Sequence, residues 1–185
     1  MIVLDGNREH LCEPNLREGR PAGCEVEWQA QIKWLREQLR DVDDSATERG
    51  AILFVHQSPY TRSPWVEDDQ GDARAFAEVL LESKRGLALL SAHAHGYERY
   101  RFKLDPLTPD PPKYFIVTAG GGGPRPPEPR LGAPCDESSL PWPRPFNYLL
   151  LRQTGSGVDV TVRGLEKSAP AVQELADEHQ VFAFP

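Results

Sequence analysis

Two hydrophobic patterns dominate the chain: a long helical stripe and several short, continuous apolar runs. Trp28, Ile32, Leu35, Leu39 and Val42 recur at spacings of 4, 3, 4 and 3, which sets them on one face of a helix. Asp43-Asp44-Ser45 ends that stripe. Residues 2–4, 51–55, 87–90 and 114–118 are apolar runs of strand length, the kind that suits strands covered on both faces. Residues 73–84 read as a second helix, with Phe76, Ala77 and Leu80 inward and Gly86 as its C-cap. Residues 147–151 and 158–162 predict a hairpin around Thr154-Gly155-Ser156-Gly157. In its second arm Val158, Val160 and Val162 alternate with polar residues. A short helix over 171–178 and an apolar tail over 181–184 complete the pattern.

The order is strand, helix, strand, helix, strand, then antiparallel-looking strands. This predicts an α/β fold whose sheet is continued by antiparallel strands. The 185 residues are read as one domain: a helix–strand core over about 1–119, a Pro-rich loop over 124–145, and a C-terminal hairpin and tail over 146–185. The 18 Pro and 15 Gly place much of the chain in loops, including residues 5–23. A net charge of −7 argues against a nucleic-acid backbone or an anionic membrane as main partner, because both select Lys and Arg. No apolar run approaches the roughly 20 residues that span a bilayer. Met1 leads directly into Ile2-Val3-Leu4 without the basic segment of a leader peptide. Neither an anchor nor a leader is therefore expected, and localisation stays open. Cys12, Cys24 and Cys135 are an odd count without CxxC spacing. They read as three idle thiols, with a single Cys12–Cys24 bridge the alternative.

In α/β sheets, ligands bind beyond the carboxyl ends of the strands. Three of the five histidines fall there: His56 after the second apolar run, and His93 and His95 after the third. If Ala94 is extended, both rings of the His-x-His pair project to one side. If the backbone turns, they splay towards two neighbouring metals. Imidazole suits Zn, Fe, Cu and Ni, and imidazoles mixed with carboxylates suit two-metal hydrolysis. His10 and His179 read as surface residues. Glu98-Arg99 could orient a ligand or bind a phosphate, or form a surface ion pair. Tyr60 and Tyr97 could line a site or pack. Asp68, Asp69 and Asp105 are solvated acids. Gly120 to Gly123 read as a flexible turn and not as a phosphate cradle, because no Lys-Ser or Lys-Thr follows. No G-x-S-x-G elbow supports a serine hydrolase.

Several segments together resemble the calcineurin-like metallophosphoesterases, in particular the purple acid phosphatase-like branch. Val55-His56-Gln57-Ser58-Pro59-Tyr60-Thr61 resembles its HH-P-P-Y-S segment. Ser91-Ala92-His93-Ala94-His95-Gly96-Tyr97-Glu98-Arg99 resembles SGHxHxYER. Gln31-Ile32-Lys33-Trp34-Leu35 resembles the QxxWL helix, residues 116–123 resemble IVTGGGG, and residues 2–7 resemble the LDSN strand. The resemblance implies a four-layer α/β/β/α sandwich and hydrolysis of phosphate esters by a metal-bound hydroxide. It implies a dinuclear centre of divalent or trivalent ions (Fe, Zn or Mn), with His56 and His93 on one metal and His95 on the other. Tyr60, Tyr97 and Arg99 would contact the substrate.

The family's DxH, GDxx[DY] and GNH[DE] motifs, which carry the remaining ligands and the bridging Asp, are absent. Gly71-Asp72 follows His56, out of order, and reads as a helix start. Gly6-Asn7-Arg8-Glu9 carries Arg8 where GNHE has His, so Asn7 is a weak ligand candidate. Ala92 replaces the family Gly before the first His, and Gln57 replaces a frequent second His. The chain thus resembles a C-terminal half, expected to show little hydrolysis alone. Such a half would leave a sheet face uncovered, to be met by a complementing N-terminal half or by self-association. Two alternatives stand beside it: a non-catalytic remnant, and a mononuclear zinc site held by the three histidines.

Overall fold

The computed structural model describes residues 1–6, 24–66, 70–103, 111–121, 123, 124, 126, 128–131, 137, 146–165 and 173–185. The loop 5–23, the Pro-rich loop, Cys12, Cys135, the Cys12–Cys24 pairing, Asn7, His10, Asp68, Asp69 and Asp105 lie wholly or largely outside the described residues.

The elements run β1 (Ile2–Val3), α1 (Cys24–Asp44), β2 (Ala51–Val55), α2 (Gln70–Glu82), β3 (Gly86–Ser91), β4 (Tyr97–Phe102), β5 (Lys113–Thr118), β6 (Phe146–Gln153), β7 (Gly157–Leu165) and β8 (Gln173–Ala183). A five-stranded sheet has the order β1-β2-β3-β5-β4. Its first four members in that order pair in parallel, and β4 runs antiparallel to β5. The last three strands form a separate antiparallel sheet, β6-β7-β8, and do not extend the first.

Alternation along the strands explains the layering. Leu53, Val55, Leu89, Phe115, Val117 and Tyr100 join the α1 stripe of Trp28, Ile32, Leu35 and Leu39 in one core. Leu87, Leu90, Tyr97, Tyr114 and Ile116 face the other way and meet Val160, Val162 and Phe182 of the second sheet. The described residues therefore build three layers: helices, mixed sheet, antiparallel sheet. β3 is buried at every position because both faces are covered. The outer face of the second sheet exposes Tyr148, Leu150 and Val181.

Polar pairs close the ends of the layers. The Gln31 amide donates to the Asp5 carbonyl at 2.9 Å and accepts from the Asp5 N–H at 3.0 Å, tying the exit of β1 to α1. At the opposite end, Asp43 accepts from Ser83 Oγ and from the amides of Lys84 and Arg85. The buried Lys113 ammonium donates to the carbonyls of Ser83 and Gly86 at 2.6 and 2.7 Å, the pairing a buried charge requires.

Several expectations change. Gly86 does not cap α2; it opens β3, and its amide donates to Ser83 Oγ. Residues 97–99 form the first half of β4, a strand the apolar runs do not mark. The 171–178 segment is not a helix: residues 173–183 pair along the free edge of β7. Its Glu, Leu and Ala are good helix formers, but intrinsic propensity is a weak preference that an available ladder overrides. Gly71-Asp72 lies in the first turn of α2, as read.

Leu53 is fully buried at the centre of the first core, whereas Leu150 is half exposed. Leu53→Ala is expected to lower unfolding free energy by about 2–5 kcal/mol. Leu150→Ala should stay within about 0.5 kcal/mol; urea titration of both variants checks this.

Candidate functional site

β2 and β3 run parallel with Val55 opposite Ser91, so both leave the sheet at the same edge. The pairing continues one step further, with the Ala92 amide donating to the His56 carbonyl at 2.9 Å. Ser58 Oγ holds the two exits together, 3.0 Å from Ser91 Oγ and donating to the Ala92 carbonyl at 2.8 Å. His56 Nε2 and His93 Nδ1 consequently stand 3.1 Å apart, with their rings edge to face. His56 is exposed and His93 half-buried.

The backbone turns between the two histidines of the His-x-His pair. The Ala94 amide donates to the Ala92 carbonyl at 2.7 Å. His93 and His95 have φ of 62° and 52° and are the non-glycine residues with positive φ among those described. Each left-handed residue costs roughly 1–2 kcal/mol, and such positions cluster at functional sites. Ala92 is outside this set, so its methyl meets no left-handed backbone. The turn splays His95 away from its neighbour. His95 Nδ1 lies 2.9 Å from the Pro124 carbonyl. A carbonyl only accepts, so Nδ1 carries the hydrogen and a neutral ring keeps its lone pair on Nε2.

Two glycines of the turn after β5, Gly120 and Gly123, are closely packed. A Cβ on Gly123 would stand 2.8 Å from the His95 ring, and one on Gly120 would stand 2.1 Å from the Asn147 amide nitrogen. Those contacts require glycine.

Of the two readings left open for Glu98-Arg99, burial affects the surface ion pair. Glu98 is fully buried, not a surface partner of Arg99. Its carboxylate accepts from Thr61 Oγ1 at 2.8 Å, from the Arg62 amide at 2.7 Å, and from the Tyr100 hydroxyl. It thereby pins the segment leaving His56 onto β4. No periodicity signals this; a buried acid in a strand shows only through its three donors. Arg99 lies on the opposite face of β4 and donates to the Glu137 carbonyl at 2.5 Å. Tyr60 packs against Tyr100, Phe102 and Phe115. Burial pushes its phenol above the ordinary range, with Arg74 drawing it down and Glu78 raising it. Tyr97 is fully buried in the core between the sheets. The structure thus brings His56 and His93 together, holds His95 beside the glycine turn, and places Tyr60 and Tyr97 in packing positions.

Two imidazole nitrogens on one tetrahedral zinc, each at about 2.0–2.1 Å, would stand roughly 3.3 Å apart. The 3.1 Å separation of His56 and His93 fits that requirement. His95 has the backbone-carbonyl partner usual for a ligating imidazole. Gln57 Oε1 is buried without a hydrogen-bond partner among the described residues and lies against Gly6, at the same sheet edge. No group of three or more His, Cys, Asp or Glu able to hold a metal occurs among the described residues. Among the described residues the three histidines form no such group.

A groove of about 590 Å³ opens beside His56 and Ala92, lined by Val3, Phe54, Leu90, Asn147 and Leu149 among others. The second sheet contacts β3 and β5, and Phe54 of β2 packs against the core between the sheets.

No family model matches this chain. Purple acid phosphatase 22 of Arabidopsis thaliana is 31% identical over 99 residues, covering 51% of this chain and 21% of that protein. The similarity points to a phosphoesterase family at most, and the match spans about a fifth of the relative's length.

Glu98→Ala removes an acceptor from three donors, two of them on the segment after His56. Hydrogen bonds to a charged acceptor contribute roughly 1.5–3 kcal/mol each. Hydrogen exchange at the Arg62 amide should accelerate at least tenfold, while the centre of β3 is less affected.

Proposed function

We propose that the chain carries the imidazole portion of a metal-dependent phosphoester hydrolase centre of the purple acid phosphatase-like kind. The convergence of His56 and His93 at 3.1 Å carries the reading. The ordered motifs along the sequence and the 31% identity to a purple acid phosphatase support it. His56 and His93 would share one ion, and His95, through Nε2, would face a second. Iron, zinc or manganese fits this donor set. Bound ions would lower the pKa of a water and offset phosphate charge. The chain's own residues supply orientation. The Pro124 carbonyl fixes the His95 tautomer, Glu98 fixes the segment leaving His56, and the Ser58–Ser91 contact holds the two strand exits together. The carboxylate and amide ligands would come from polypeptide outside these 185 residues, completing a four-layer sandwich.

A second reading is a non-catalytic half-domain completed by another chain, either a complementing N-terminal half or a second copy. The exposed Val3 on edge strand β1 and the apolar groove beside it favour this reading, because an open strand edge invites pairing.

Calorimetric titration with Zn²⁺ separates the two. The first reading expects one ion per chain, with affinity falling at least tenfold in both His56→Ala and His93→Ala and the stoichiometry kept in His95→Ala. Hydrolysis of a chromogenic phosphate ester by the chain alone should stay near the metal-free background. Binding that neither variant weakens would overturn the shared-ion assignment. Robust turnover lost in His95→Ala would show that the chain needs no further ligands.

A further inference from the structure

Trp65 is a large apolar side chain beside the histidine site that the proposed hydrolysis leaves unused. Its indole is half exposed, at 50%. It stands perpendicular to the His95 ring, with centroids 5.8 Å apart. Its exposure is not that of a dangling loop. Ser63 on one side is fully buried, and Val66 on the other is 3% exposed. Ser63 donates its amide to Thr61 Oγ1, and the Trp65 amide donates to Ser63 Oγ. The Arg130 amide donates to the Arg62 carbonyl at 2.6 Å, and Glu98 holds the Arg62 amide at 2.7 Å. The backbone that carries the ring is held at each of these points. Gly123 packs against His95 as well, so the ring lies between the glycine turn and the indole.

We infer that Trp65 forms a subsite for the organic portion of the substrate and selects phosphoesters whose leaving group carries an aromatic ring. This rests on the phosphoester reading of the histidine site. An exposed indole offers offset stacking to a planar ring, whereas a short alkyl group covers little of it. A stacked ring pair contributes an effect of roughly threefold to tenfold in affinity. The backbone beneath the ring is held by the contacts above, so little main-chain ordering is lost on binding.

The test uses equilibrium binding of two non-hydrolysable probes, phenylphosphonate and methylphosphonate, to the Zn²⁺-loaded chain, measured by calorimetry. Phenylphosphonate is expected to bind roughly threefold to tenfold more tightly. Trp65→Ala should abolish that preference while leaving methylphosphonate affinity unchanged, and Trp65→Phe should retain most of it. A preference that survives Trp65→Ala overturns the subsite and leaves the phosphoester reading standing. Equal affinity of the two probes in the unaltered chain does the same. Failure of both phosphonates to bind the unaltered chain overturns the phosphoester reading and the subsite with it.

Discussion

The histidine pair depends on one constraint: β2 and β3 run parallel and stay in register to their last residues. Val55 opposes Ser91, and the ladder extends to the Ala92–His56 hydrogen bond. Two chains that leave a sheet side by side in the same direction must bring their next side chains together. The parallel pairing is in turn possible because both faces of β3 are covered, by helices on one side and by the second sheet on the other. A site at this edge therefore inherits its geometry from the core, and a slip of one residue in the pairing would separate the two rings.

Polar groups refine what the sheet sets. Two left-handed histidines, each unfavourable by roughly 1–2 kcal/mol, are tolerated because the surrounding turn is over-determined. The Ala92 and Ala94 amides are both bonded, and Gly123 lies against His95. On the other exit, a single buried carboxylate gathers the Thr61 hydroxyl, the Arg62 amide and the Tyr100 hydroxyl. A buried acid persists when enough donors converge on it. Glu98 thus couples β4, which carries no ligand, to the segment leaving His56.

The core was legible in the sequence because it rests on periodicity. The α1 stripe and the continuous runs of β2, β3 and β5 appear as read, and the histidines at the strand ends follow from where those runs stop. The failures share a cause, since each depends on a partner distant in sequence. β8 carries helix-favouring residues and becomes a strand only because β7 offers an edge. β4 was masked by Glu98, whose burial breaks the alternation that marks a half-exposed strand. The tight glycine turn and the role of Trp65 depend on approaches to His95 that no local pattern encodes. Whether residues 92–96 turn or extend was likewise open until the two left-handed φ values were known.

The claim on which the functional reading stands is that His56 and His93 bind one ion together. X-ray absorption at the zinc edge of the loaded chain tests it most directly. The expected spectrum shows two imidazole rings in the zinc shell, at about 2.0–2.1 Å, falling to one in His93→Ala. A spectrum with a single imidazole or none in the unaltered chain, or one unchanged by His93→Ala, would contradict it.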